Sequence, residues 1–165
     1  MNNKSFCVDY WDKSESRVEF FISKLLPTDI PISAVKIFDI CNNEIILVHT
    51  PKGWDIPGGH VEENETAIQA LEREVYEETC GYVKEYKLAG YLLITKQKVN
   101  EHNKNYPDKT VIAMYAGHID NINADSTFLA HESFDVKKVQ IDSLPILIKN
   151  WSDLYGEIIK YINSI

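Results

Sequence analysis

Three glutamates, Glu74, Glu77 and Glu78, fall within about one turn of a predicted helix. They sit near its C-terminal end, where the macrodipole disfavours negative charge. Like charges at i,i+3 and i,i+4 also repel, by roughly 0.2–0.5 kcal/mol per pair. Arg73 is the only fixed cation between Gly58 and Gly81. A helix selected for stability alone would avoid such a cluster. A divalent cation turns the cost into a gain, because hard ions such as Mg²⁺ take carboxylate oxygens and bring substrate phosphates with them.

The surrounding residues supply the elements that hold these side chains. Thr66 and Gln69 have capping-box spacing. Ile68, Leu71 and Val75 repeat at helical period, and Gly81 offers a C-terminal stop. Gly58 and Gly59 allow a tight backbone turn beside the helix and a carbonyl aimed at a metal. Carboxylates at i, i+3 and i+4 leave one helix face together, so Glu74, Glu77 and Glu78 can share metal ions.

The run Gly58–Gly81 resembles the Nudix box, G-x5-E-x7-R-E-U-x-E-E-x-G-U with U aliphatic. Gly59, Glu65, Arg73, Glu74, Val75, Glu77 and Glu78 stand in register with its first seven fixed positions. Trp54-Asp55-Ile56-Pro57-Gly58-Gly59 is similar to the approach W-x-x-P-G-G common in that family. The end departs: Cys80 stands where the box has Gly, and Gly81 comes one place late, which predicts one extra helical residue at the exit. The resemblance implies an α/β fold, a Nudix-type α/β/α sandwich with a mixed β-sheet between helices. It implies Mg²⁺ (or Mn²⁺) held by Glu77 and Glu78, with Glu74 as ligand or water activator and Gly58 giving its carbonyl. It further implies an ion pair between Glu65 and Arg73 that braces the loop against the helix, placing Arg73 in the catalytic set. A late-loop carboxylate often serves as base or ligand in the family, and Glu132 in His131-Glu132-Ser133-Phe134-Asp135 is the candidate here. His60, His131, Trp54, Lys52 and Lys109 are weaker substrate contacts, each as readily explained by surface or core packing.

The rest of the chain reads as strands closed by a helix. Ser16 and Glu19 have capping-box spacing, which predicts a short N-terminal helix ending before Pro27. Residues 33–40 and 44–48 read as strands joined in a hairpin by Cys41-Asn42-Asn43. Residues 50–53 form a loop leading to Trp54. Strands are expected at 82–88, 91–98, 110–119 and 136–141, with an exposed polar loop at 100–108 and another at 120–126. Trp151, Leu154, Tyr155, Ile158, Ile159 and Ile162 mark an amphipathic C-terminal helix.

Composition narrows the function classes. At 165 residues the chain fits a single domain, residues 1–165. Its 17 basic against 25 acidic residues give a net charge of −8, which argues against a nucleic-acid polymer or an anionic membrane as partner. Three cysteines without C-x-x-C spacing read as reduced thiols, and the N-terminus lacks the apolar run of a signal peptide, so a cytoplasmic location is expected. The sequence carries no G-x-S-x-G elbow, Walker loop or H-E-x-x-H. The expected activity is metal-dependent hydrolysis of a nucleoside diphosphate linked to another group. A nucleoside triphosphate, including oxidised forms such as 8-oxo-dGTP, is favoured because the chain carries no large insertion. The rivals are an idle nucleotide sensor on the same fold and an allylic-diphosphate isomerase. Many relatives dimerise, so a homodimer is a further expectation.

Overall fold

The computed structural model describes residues 5–122 and 135–165. Its strands are β1 (Cys7–Trp11), β2 (Ser16–Ile22), β3 (Ile32–Phe38), β4 (Ile40–Cys41), β5 (Glu44–Thr50), β6 (Gly53–Asp55), β7 (Tyr82–Lys96), β8 (Lys109–Asp120) and β9 (Asp135–Gln140). The helices are α1 (Ala67–Thr79), α2 (Leu144–Leu147) and α3 (Asp153–Asn163). The larger sheet has the order β1-β2-β7-β8-β3 and is mixed, since β3 runs parallel to β8 while the other pairs are antiparallel. A second sheet joins β4, β5 and β6, with β9 pairing β5.

Alternation along β3 sends side chains into two cores. Val35 and Ile37 pack with Ala70, Leu71 and Val75 of α1. Phe38 faces the other way, into a core with Leu154, Ile158 and Ile159 of α3. Burying a Leu or Ile side chain is worth roughly 1.5–3 kcal/mol, so these two cores fix both helices against the sheet. The architecture is the expected α/β sandwich with helices on both faces.

Several local expectations are corrected. Residues 16–22 form β2, not a helix: Ser16, Val18 and Phe20 are buried and alternate with more exposed residues. The capping-box spacing at Ser16 loses to aromatic and β-branched residues that pair with both β1 and β7. The hairpin turn is Asn42-Asn43, both at positive φ, and it joins β4 to β5. β3 is not its partner; it leaves for the larger sheet beside β8. Residues 82–96 make one strand, with a register shift between Leu88 and Gly90 where two strands were expected. The glycine marks a bulge, not a break. The segment at 100–108 is tied down more than its polarity suggests. Asn103 is buried and donates to the carbonyls of Ser14 and Lys98, while Asn100 donates to that of Lys13.

Candidate active site

Residues 57–61 lie along β3, and this places the glycines. Ile37 donates to the Pro57 carbonyl and Val35 to that of Gly59, at 3.0 and 2.9 Å, while Val61 donates to the Ser33 carbonyl. Between these bonds Gly58 takes φ +136°, a conformation side chains rarely adopt. A Cβ there would meet the Val35 carbonyl oxygen at 2.1 Å. The Gly58 N–H turns toward α1 and donates to Glu78 Oε2 at 2.8 Å. Gly59 serves a different need: a Cβ on it would lie 2.2 Å from Glu74 Oε1. The second glycine is the space in which the Glu74 carboxylate sits.

Helix α1 begins as its sequence dictates. Thr66 is the N-cap, its hydroxyl accepting from the Gln69 N–H while the Gln69 side chain accepts from the Thr66 N–H. Its exit differs from expectation. Cys80 itself takes the left-handed conformation, φ 52°, and its N–H donates to the Tyr76 carbonyl. The helix ends at Thr79 with no added residue, Cys80 filling the role the box gives to glycine at the strain cost of a Cβ in that region.

Arg73 is the hub of the site. Its Nε and Nη2 donate to the two oxygens of Glu65 at 2.9 and 3.0 Å, a bidentate pair that joins loop to helix. Nη2 also donates to the His60 carbonyl at 2.8 Å. Nη1 donates to Glu74 at 2.9 Å and to Glu77 at 3.0 Å. The guanidinium beside Glu65 holds that carboxyl below its usual range.

Glu74 and Glu78 are buried, at 6% and 4% exposure, whereas Glu77 keeps about a third of its side chain in solvent. Burial pushes the Glu78 carboxyl up to about 8, offset in part by the Gly58 N–H and by Lys36, with Glu74 and Asp55 adding to the rise. Two desolvated carboxylates that repel each other are the donor chemistry a hard divalent cation satisfies. Among the described residues no three His, Cys, Asp or Glu side chains form a group that could hold a metal ion, and Arg73 bonds both Glu74 and Glu77. Glu132 and His131 lie outside the described residues.

Lys36 is the site residue that sequence reasoning passed over. Its Nζ bonds the Ile56 carbonyl at 3.1 Å and Asp55 Oδ2 at 2.9 Å. Burial alone would lower its affinity for the proton, but Asp55 more than offsets this and keeps it charged. A lone cation in the apolar run Ala34-Val35-Lys36-Ile37-Phe38 was the available signal. His60 Nε2 meets the Tyr106 hydroxyl at 3.1 Å, so residue 106 reaches the box from the segment between β7 and β8. Trp54 packs partly into the α3-side core, with Lys137 Nζ 4.0 Å from its ring centroid.

The family model of the NUDIX domain matches residues 31–155, which hold all of this geometry. The chain belongs to the NUDIX family. Its Nudix box is the segment built above, and with it come the two-sided α/β fold and the hydrolase domain class. A relative in Bacillus subtilis (strain 168), YtkD, carries the provisional name 8-oxo-dGTP diphosphatase and is 40% identical over 65 residues. That match spans 39% of this chain and 41% of the relative's length. Among solved structures, the Bacillus subtilis pyrophosphohydrolase BsRppH superposes with a TM-score of 0.70 at 19% identity, over 96% of this chain and 97% of its own. A NUDIX hydrolase from Nitrosomonas europaea gives 0.63 at 22% identity, over 81% and 89%. At these identities the likeness is one of fold.

Proposed function

We propose that this Nudix protein is a Mg²⁺- or Mn²⁺-dependent pyrophosphohydrolase of nucleoside triphosphates, oxidised ones such as 8-oxo-dGTP included. The observation that carries the reading is the buried pair Glu74 and Glu78, each with a built seat: a Gly58 N–H for one and the space over Gly59 for the other. Glu74, Glu77, Glu78 and the Gly58 carbonyl would hold the metal, which supplies charge neutralisation on the phosphates and an activated water.

The chain's own residues do the positioning. Arg73 locks Glu65, the His60 carbonyl, Glu74 and Glu77 into one unit, so the loop and helix present a fixed face to the polyphosphate. Lys36 anchors Asp55 and Ile56 on β3 and thereby sets where Pro57 and Gly58 turn. Glu132 remains the candidate base. The partial match to YtkD supports a triphosphate, and Cys7, Cys41 and Cys80, none of them in a disulfide among the described residues, suit a reducing, cytoplasmic setting. No described helix is long and apolar enough to cross a membrane. A homodimer is part of the proposal.

The test is phosphate and pyrophosphate release with Mg²⁺ from canonical and oxidised nucleoside triphosphates, ADP-ribose, diadenosine polyphosphates and coenzyme A. Turnover of a triphosphate that collapses in Glu77→Gln is the expected result. Intact nucleotide binding without turnover of any compound would replace the hydrolase by the sensor.

A further inference from the structure

Two exposed rings meet beside the box. His60 Nε2 lies 3.1 Å from the Tyr106 hydroxyl, and the ring centroids are 6.3 Å apart with the planes inclined by 29°. His60 is fixed through its backbone: it bridges Ala34 of β3, and its carbonyl accepts from Arg73. Tyr106 comes from the connection between β7 and β8, and it too is fixed through its backbone. Its carbonyl accepts from Lys96 Nζ, and its N–H donates to the Asn103 carbonyl. Asn103 is buried and donates to the Ser14 carbonyl, while Gln97 and Lys98 donate to that of Glu15. The connection is thus a strap pinned to the β1–β2 turn, and the Tyr106 side chain stands on it without holding it in place.

The order of residues 54–60 sets what the two rings face. Trp54 and Asp55 line a cleft of about 770 Å³, which has room for a nucleoside, and His102 of the strap lines it too. Gly58 follows, bonded to Glu78. Residues 57, 59 and 61 bond alternate residues of β3, so this stretch is extended and His60 lies about 7 Å beyond Gly58. The strap therefore flanks the stretch at both ends, at the cleft through His102 and past the glutamates through Tyr106. A polyphosphate that reaches the glutamates from the cleft points its far end at His60 and Tyr106.

We infer that Tyr106, set against His60, is a specificity-determining residue that bars the path beyond the glutamates and limits the far end of the substrate to phosphate. The inference rests on the proposed triphosphate hydrolase, whose substrate carries only phosphate at that end. A dinucleoside polyphosphate carries a second nucleoside there, in the space that the two rings occupy. To admit it, the rings must part and give up both their packing and the hydroxyl contact. Discrimination of this kind works by obstruction of the wrong ligand, not by added contacts to the right one.

Binding without turnover tests the bar separately from the hydrolase. Dissociation constants of ATP and diadenosine tetraphosphate are measured by calorimetry with Ca²⁺ in place of Mg²⁺, for wild type, Tyr106→Ala and Tyr106→Phe. Wild type should bind ATP at least about tenfold more tightly than the dinucleotide, roughly the worth of an aromatic contact and a hydrogen bond together. Tyr106→Ala should tighten the dinucleotide and bring the ratio within about threefold, with a Tm near wild type because the strap keeps its backbone anchors. Tyr106→Phe retains the ring against His60 and should keep most of the wild-type ratio. Equal affinities in wild type, a ratio unchanged in Tyr106→Ala, equal weakening of both compounds in that variant, or binding of neither compound by wild type would overturn the assignment. The expected ratios without triphosphate turnover in Mg²⁺ would sink the hydrolase and keep the bar. Triphosphate turnover with equal affinities for the two compounds would do the reverse.

Discussion

Gly59→Ala puts a methyl group where the Glu74 carboxylate now sits. The added Cβ would stand 2.2 Å from Oε1, 2.3 Å from Cδ and 2.5 Å from Oε2. Contacts of this kind are tolerable only beyond about 3.4 Å, so the carboxylate must retreat by about 1 Å. The obstacle is the end of a side chain, and Gly59 needs no left-handed backbone, so the fold can yield cheaply. The stability cost should fall at the low end of overpacking, about 1 kcal/mol. Function should suffer far more, because a 1 Å displacement of a positioned group costs on the order of 100-fold. Thermal melting and Mg²⁺ titration calorimetry read the two effects separately. In a Glu74→Ala background the methyl should add no further loss of Mg²⁺ affinity, a coupling expected of groups in direct contact. Wild-type Mg²⁺ affinity in Gly59→Ala, or the same loss in both backgrounds, would refute the idea that this glycine exists to seat Glu74.

Other expectations follow from the same contacts. Thr66→Ala removes the N-cap of α1 and should lower stability by about 0.5–2 kcal/mol in denaturant melts, with Mg²⁺ affinity little changed. Arg73 depresses the Glu65 carboxyl, so its contribution is present above the unfolded value near 4.5 and lost as pH falls through the folded one; Glu65→Gln should flatten the acid limb of the stability profile. Glu78 is shifted the other way. Its protonated form favours the folded state, a contribution complete below 4.5 and lost as pH rises through about 8. Added Mg²⁺ should therefore raise Tm more at pH 8.5 than at pH 6, about the window set by that shift, and a pH-independent rise would count against Glu78 as ligand.

The readable parts of this protein were those governed by local chemistry. Glu65 meets Arg73 as the resemblance to the Nudix box implied, and Thr66 and Gln69 cap α1 as their spacing implied, because a capping box is short-range geometry. The amphipathic period of α3 was legible for the same reason. Long-range pairing was not. Ser16 and Glu19 carry a helix-start spacing, yet β1 and β7 on either side recruit that segment into the sheet. Residues 33–48 looked like one hairpin, but Val35 and Ile37 are needed against α1, so β3 joins β8 instead. Gly81 looked like the helix stop displaced by one place, and only the backbone shows that Cys80 adopts the glycine conformation itself. Lys36 has no local signature of its role, because its partner Asp55 is 19 residues away on a strand of the other sheet.

The proposed chemistry depends on Glu74, Glu77 and Glu78 holding a divalent cation. Electron paramagnetic resonance of Mn²⁺ titrated into the protein, wild type beside Glu78→Gln, tests it most directly. Saturable Mn²⁺ binding that is lost or weakened at least about tenfold in the variant is the expected result, in line with loss of a direct metal ligand. Identical Mn²⁺ binding by both proteins, or none by wild type, would rule out these glutamates as the metal site.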